Sequence, residues 1–363
     1  MLDRRHILHI DLVTTTSAAL LVLIGLATLY SATYAREFHI YERHLLWVLI
    51  GLGLVVIAVV LDYLLLERFA YLIYGASLAL LVAVILGGKE IAGAQRWIAL
   101  GPFSFQPSEF AKLGLIIMLA GYFSSEKTPQ KGLGLKELSI PAIITGAPFL
   151  LVAKQPDLGT ALILLSIFGS MVLVVGIRPR TFIGIALTGA SVLPFAWATL
   201  KPYQKERVLS FLDPQKDPLG SGYHLLQSKI AIGSGGVLGK GFTNGTQGKL
   251  MFLPEHHTDF IFPTFAEEWG FAGSMFLLML FFLLVFQTID TAKNSKDRFG
   301  LLVATGIGAM LFWHISINLC MAAGLLPVVG VPLPFISYGG SFLVTCMISA
   351  GLIINIRMRR FIF

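Results

Sequence analysis

Ten apolar runs, each close to the length of a membrane-crossing helix, follow one another along this chain: 11–33, 44–62, 68–88, 107–124, 137–154, 158–176, 180–199, 263–288, 299–323 and 335–356. A hydrocarbon core about 30 Å thick takes about 20 residues of α-helix, and only structures that satisfy their own backbone can cross it. The pattern predicts an all-α polytopic membrane protein of about ten transmembrane helices, forming a single membrane domain over 1–363. One connection is long: 201–262, between helices seven and eight. Composition agrees, since a chain of 363 residues that is 56% hydrophobic and 13% charged has too little polar surface to coat a soluble globule. The first run follows Arg4 and Arg5, is too long for a signal-peptide core and has no small-residue cleavage pattern behind it, so it is expected to stay as the first helix.

The charges orient the bundle. Every second connection, starting with the N-terminus, carries Arg4, Arg5, Arg68, Lys127, Lys131, Lys136, Arg178, Arg180, Lys293, Lys296, Arg298, Arg357, Arg359 and Arg360. The alternate short connections hold only Arg36, Arg43, Lys89, Arg96 and Lys154. By the positive-inside rule both termini are expected in the cytoplasm, with the long loop outside it. This asymmetry also accounts for the net charge of +7 without nucleic acid, because the basic residues sit at the ends of apolar runs and form no stripe. The two cysteines, Cys320 and Cys346, lie inside apolar runs and suggest neither a disulfide nor a metal site. Internal repeats and inverted halves are not visible.

Polar chemistry concentrates in the extracytoplasmic loop. Its first part, from Lys201 to Pro218, is polar and broken by prolines, as expected of chain lying along a membrane surface. Its second part, Ser221 to Lys229, reads as a short amphipathic helix leading into Gly233-Ser-Gly-Gly-Val-Leu-Gly-Lys-Gly241. The Walker spacing fails there, since Ser234 stands where the first glycine is needed and Gly241 where a Ser or Thr should follow the lysine. Backbone N–H groups with Lys240 can still cradle a phosphate. Next, Glu255, His256, His257 and Asp259 crowd the start of the eighth helix. Three readings stay open: a metal site, although no zinc spacing is met; a solvated helix cap; or a catalytic carboxylate. Asp259, flanked by Phe260, Ile261 and Phe262, is the member whose dry setting would suit a general base.

Other polar groups lie in or beside helices. Glu109 and Lys112 are three apart in Gln106-Pro-Ser-Glu-Phe-Ala-Lys112, hence on one face and able to pair, either functionally or as a neutralised structural pair. At 154–159, Lys-Gln-Pro-Asp-Leu-Gly interrupts the apolar chain, either as a tight turn with Asp157 capping the next helix or as a break lining a cavity. His314 and Asn318 share a helix face and read as satisfied interhelical hydrogen bonds. In the last outer connection, Gly330-Val-Pro-Leu-Pro-Phe-Ile-Ser-Tyr-Gly-Gly-Ser341 reads as backbone facing a cavity.

Five stretches, in order and in the expected topological places, carry a resemblance: Gln95-Arg-Trp-Ile98, Phe105-Gln-Pro-Ser-Glu-Phe-Ala-Lys112, Gln155-Pro-Asp-Leu-Gly-Thr160, Leu253-Pro-Glu-His-His-Thr-Asp-Phe-Ile-Phe262 and Pro334-Phe-Ile-Ser-Tyr-Gly-Gly-Ser341. Over essentially its whole length the chain resembles the SEDS family of bacterial peptidoglycan glycosyltransferases. Gly245-Thr-Gln, Phe252-Leu-Pro-Glu and Phe265-Ala-Glu-Glu268 resemble its rod-shape, elongation branch more than its division branch, while Pro263 and Trp269 depart from the pattern. The resemblance implies polymerisation of lipid II at the outer face of the cytoplasmic membrane, with inversion at the anomeric carbon and Asp259 as base. It implies supporting or substrate-binding roles for Trp97, Glu109, Asp157, Glu255, His257 and Ser337. Lys112, Lys154, Arg207 and Lys240 are candidates to hold the diphosphate, and a divalent cation, Mg or Mn, can share that duty. A class B penicillin-binding protein transpeptidase is the implied partner, beside membrane lipid. The competing class is a lipid II flippase or other transporter; against it stand the concentration of polar groups on one side and the short cytoplasmic loops, poor in carboxylates.

Overall fold

The computed structural model describes residues 11–34, 37–91, 94–100, 103–125, 132–199, 201–214, 217, 220–246 and 257–360. Among them the helices are α1 (Leu12–Thr33), α2 (Phe38–Val60), α3 (Leu64–Arg68), α4 (Ala70–Gly87), α5 (Pro107–Ser125), α6 (Leu135–Lys154), α7 (Leu158–Val175), α8 (Pro179–Thr199), α9 (Pro202–Leu212), α10 (Ser221–Ser234), α11 (Ile261–Lys293), α12 (Arg298–Ala322) and α13 (Gly340–Arg359). Between α4 and α5, three short strands, β1 (Lys89–Ile91), β2 (Ala94–Leu100) and β3 (Phe103–Phe105), pair antiparallel in chain order.

The ten long helices fall on the ten apolar runs, and eight of them meet the length and hydropathy of a membrane span. The others are α5, whose hydropathy is lowered by Glu109 and Lys112, and α8. Helix α5 is buried along nearly its whole length, so its charges face protein and not lipid. Burial grades the bundle: 89% of the apolar window of α13 is buried against 17% of that of α2. The core therefore sits around α5, α12 and α13, and helices such as α2 present apolar side chains outward, as a bilayer requires.

Local chemistry fixes the helix ends. Asp11, Asp157 and Asp297 accept from backbone N–H groups at the starts of α1, α7 and α12. In α6, Pro148 removes the donor that would satisfy the Ile144 carbonyl, and the Tyr74 hydroxyl of α4 donates to it at 2.6 Å instead. At the end of α2, Asn355 Nδ2 donates to the carbonyls of Ala58 at 2.7 Å and Val59 at 3.0 Å.

Several boundaries differ from the hydropathy reading. Helix α2 begins at Phe38, six residues before the apolar run, because His39, Glu42 and Arg43 extend it beyond the apolar stretch. The third run is preceded by the short helix α3, which ends at Arg68, and its own helix α4 starts at Ala70 after a break at Phe69. Helix α11 extends to Lys293 and is broken at Gly270, whose φ of 65° and ψ of −161° lie in a region essentially reserved for glycine. The last run starts as loop, with Phe335 at φ 64°, and turns helical only at Gly340.

Candidate active site

The helices alternate in direction, so the N-terminal ends of α2, α5, α7, α11 and α13 meet at one end of the bundle. There they surround a cavity of about 660 Å³. Helix α2 contributes Arg43 and Trp47, β2 contributes Arg96 and Trp97, and the start of α5 contributes Gln106 and Glu109. The 156–160 turn, Arg207 of α9, His257 to Asp259, and the 327–342 segment with Tyr338 close it. Aligned N-termini place partial positive charge around this space, and three arginines add full charges, a setting suited to an anion.

Asp259 lies half-buried on this wall, in the segment just before α11. The turn that carries it is held through its backbone carbonyls. His257 O accepts from Tyr338 N at 2.8 Å, Thr258 O from the Ser337 hydroxyl at 2.7 Å, and Asp259 O from Asn318 Nδ2 at 3.0 Å. The Ser337 hydroxyl in turn accepts from Leu333 N at 2.8 Å. Ser337 is thus a buried pin between two loops and does not itself line the cavity.

Beneath the cavity floor, Lys112 is completely buried, with Nζ 2.7 Å from Glu109 Oε2, 2.8 Å from His314 Nε2 and 5.0 Å above the Phe342 ring. An ammonium only donates, so Nε2 of His314 accepts and its Nδ1–H donates to Pro332 O at 3.2 Å. The i,i+3 pair expected on α5 therefore forms, and His314 joins it from α12. Only Glu109 of this trio reaches the cavity.

The 155–157 break is both a cap and a cavity wall. Asp157 accepts from Thr160 N at 3.3 Å and Thr160 Oγ1 at 3.0 Å, and Gln106 Nε2 lies at 3.4 Å. Arg96 donates to the carbonyls of Gln155 and Pro156 and stands 3.8 Å from the Asp157 carboxylate. These contacts tie the β-sheet to α7.

Of the residues singled out from sequence, Asp259, Trp97, Glu109, Asp157, Arg207 and His257 come together on one cavity. Lys154 is exposed at the end of α6 and takes no part in it. Lys240 pairs at 2.6 Å with the fully buried Glu267, away from the cavity. Glu255 and His256 lie outside the described residues. The glycine-rich run does not present its N–H groups to a ligand: Lys240 N and Gly241 N both donate at 3.0 Å, to Glu267 O and Glu268 O. Sequence reasoning assigned no role to Arg43, which counted only as a minority charge in a sparsely basic connection, or to Arg96, although Arg96 lies in the Gln95-Arg-Trp-Ile98 stretch. That scarcity is itself the signal that could have found them.

Residues 8–361 match the FtsW/RodA/SpoVE family, described as "Cell cycle protein". The peptidoglycan glycosyltransferase MrdB of Escherichia coli K12 is 40% identical over 97% of this chain and 94% of its own length. Stage V sporulation protein E of Bacillus subtilis is 36% identical over 95% and 96%. Among solved structures, a chain reported under "Structural coordination of polymerization and crosslinking by a peptidoglycan synthase complex" superposes with a TM-score of 0.85 at 34% identity, covering 98% of this chain and 99% of that one. Thermus thermophilus RodA gives 0.72 at 30% identity, covering 97% and 98%. The chain is therefore a polytopic membrane enzyme of the peptidoglycan glycosyltransferase class. It belongs to the FtsW/RodA/SpoVE family, and MrdB and RodA stand among its similar relatives.

Proposed function

We propose that this chain polymerises lipid II, the disaccharide-pentapeptide carried on undecaprenyl diphosphate, into β-1,4 glycan strands during cell elongation. The observation that carries the reading is one cavity lined by Asp259 together with Arg43, Arg96 and Arg207 amid five helix N-termini. Its volume, about 660 Å³, falls in the range of small-molecule sites. An α-linked glycosyl diphosphate that becomes a β-link inverts the anomeric carbon in one displacement. Asp259 takes the proton of the acceptor 4-hydroxyl, the acceptor oxygen bonds the anomeric carbon, and the bond to the diphosphate breaks with its electron pair. Guanidinium forks match phosphate oxygens and compensate the charge that grows on the leaving group. Arg43, Arg96 and Arg207 take that role here, in place of Lys112, Lys154 and Lys240. A divalent cation held by one or two carboxylates and the diphosphate itself would share this charge compensation with the arginines.

In this reading the cavity opens on the outer side of the cytoplasmic membrane, both termini are cytoplasmic, and the partner is a class B penicillin-binding protein transpeptidase. The description of the peptidoglycan synthase complex supports such a partner. The test is polymerisation of lipid II by the purified full chain with that partner. Glycan strands are expected; lipid II carried across a vesicle membrane without bond formation would favour the flippase instead. Orientation is checked in cells by cysteines placed at the exposed Lys136 and Glu206, with Cys320 replaced by Ser. An impermeant reagent should label the second and spare the first, and the reverse pattern would refute the topology.

A further inference from the structure

We infer that Asn318 is the positioning residue for Asp259, its single side-chain amide setting the distance between the turn that carries Asp259 and the opposite cavity wall. The inference rests on Asp259 being the base.

Asn318 is fully buried on α12. Its Nδ2 donates to Asp259 O at 3.0 Å and to Val331 O at 2.7 Å. Both neighbours are carbonyl oxygens, which only accept, so the amide nitrogen must face them. The two carbonyls belong to the two loop segments that bracket the carboxylate. Gly330, adjacent to Val331, approaches it from the other side: a Cβ built there would lie 3.5 Å from Asp259 Oδ2, and Gly330 has φ +73°. One NH2 group thus ties the backbone of the base to the backbone of the surface fronting that base. A hydrogen bond to each side leaves the amide little room to shift without lengthening one of them. Ser337 and Tyr338 hold the two preceding carbonyls, of Thr258 and His257, and Asn318 joins residue 259 to the 330–331 wall.

General-base catalysis depends on placement within hydrogen-bond reach, so a displaced carboxylate slows the chemical step and leaves substrate affinity largely intact. Asn318→Ala is expected to lower kcat for lipid II polymerisation about 10- to 100-fold, with KM within about twofold. Asn318→Ser, which keeps a polar group but cannot bridge both carbonyls, should fall between it and the unaltered protein, and serves if the alanine variant does not fold. The discriminating measurement is the double variant. If Asn318 acts through Asp259, then Asn318→Ala in an Asp259→Asn background should cost less than about twofold more, because the group it positions is already disabled. A full additional loss in the double variant would assign Asn318 a general structural role and overturn the inference. So would an unchanged kcat in both Asn318 variants beside an inactive Asp259→Asn protein. A normally active Asp259→Asn protein would instead break the base assignment, and the inference with it.

Discussion

Two glycine-containing segments of this molecule look alike in sequence and do opposite work. The run from Gly233 to Gly245 presses its backbone against the start of α11. Gly236 O and Val237 O accept from Phe271 N at 2.9 Å and Ala272 N at 3.0 Å, and Lys240 N and Gly241 N donate in return to the carbonyls of Glu267 and Glu268. Its glycines are there for close approach, since a Cβ on Gly239 would stand 2.1 Å from Glu268 O. The segment from Pro327 to Ser341 packs closely on one side, where a Cβ on Gly25 would lie 2.4 Å from Phe335 O, and on its other side it lines the cavity. Its carbonyls are satisfied by His314 and Asn318, and its N–H and hydroxyl groups reach across to 257 and 258. The difference teaches that the direction of the backbone polar groups, and not the glycine count, decides whether such a segment is a strap or a wall.

Substitutions should therefore separate the two by stability against activity. The largest effect is expected at Gly270, where the two parts of α11 join. A Cβ there would meet Gly239 N at 2.3 Å in a backbone region that other residues do not adopt. Gly270→Ala should cost about 1–3 kcal/mol for the backbone alone and a further ~1–3 for overpacking, read as a large loss of thermal stability in detergent. Lys240→Ala comes next. It leaves Glu267 fully buried with Thr246 N and Oγ1 as its donors, and should lower stability by about 1–3 kcal/mol, because Lys240 is itself about a third exposed. Gly330→Ala is the counterpart on the wall. The methyl group meets the Asp259 carboxylate only at van der Waals distance, so stability should fall by about 1–2 kcal/mol from the left-handed backbone, while polymerisation falls at least tenfold. Equal effects of Gly270→Ala and Gly330→Ala on melting and on rate would dissolve the distinction.

The spans were legible because run length against bilayer thickness is a local property. Their interruptions were less so. Nothing in 263–288 announces that Gly270 breaks the helix, since the break is imposed by the strap packed against it from thirty residues upstream. The strands over 89–105 are also invisible to hydropathy, being short and half-polar. At the site, Asp259, Glu109 and Asp157 were legible as carboxylates in unusual settings. Of the arginines only Arg207 was legible, as a candidate for the diphosphate; Arg43 and Arg96 were not, because the three sit on separate connections and meet only through the bundle. Lys154 and Lys240 looked equivalent to them by charge. Only the fold shows one of these exposed at a helix end and the other committed to Glu267. Asn318 was legible as a satisfied polar group, but its partners, the carbonyls of residues 259 and 331, were not.

The most direct test of the account is Asp259→Asn in the full chain with its transpeptidase partner, assayed on lipid II. The substitution keeps size and hydrogen bonding at a half-buried wall position and removes only proton acceptance. Polymerisation should fall about 10²- to 10⁴-fold, with melting temperature and partner binding unchanged. A folded Asp259→Asn protein that polymerises lipid II at the normal rate would contradict the account and return the segment before α11 to a helix cap.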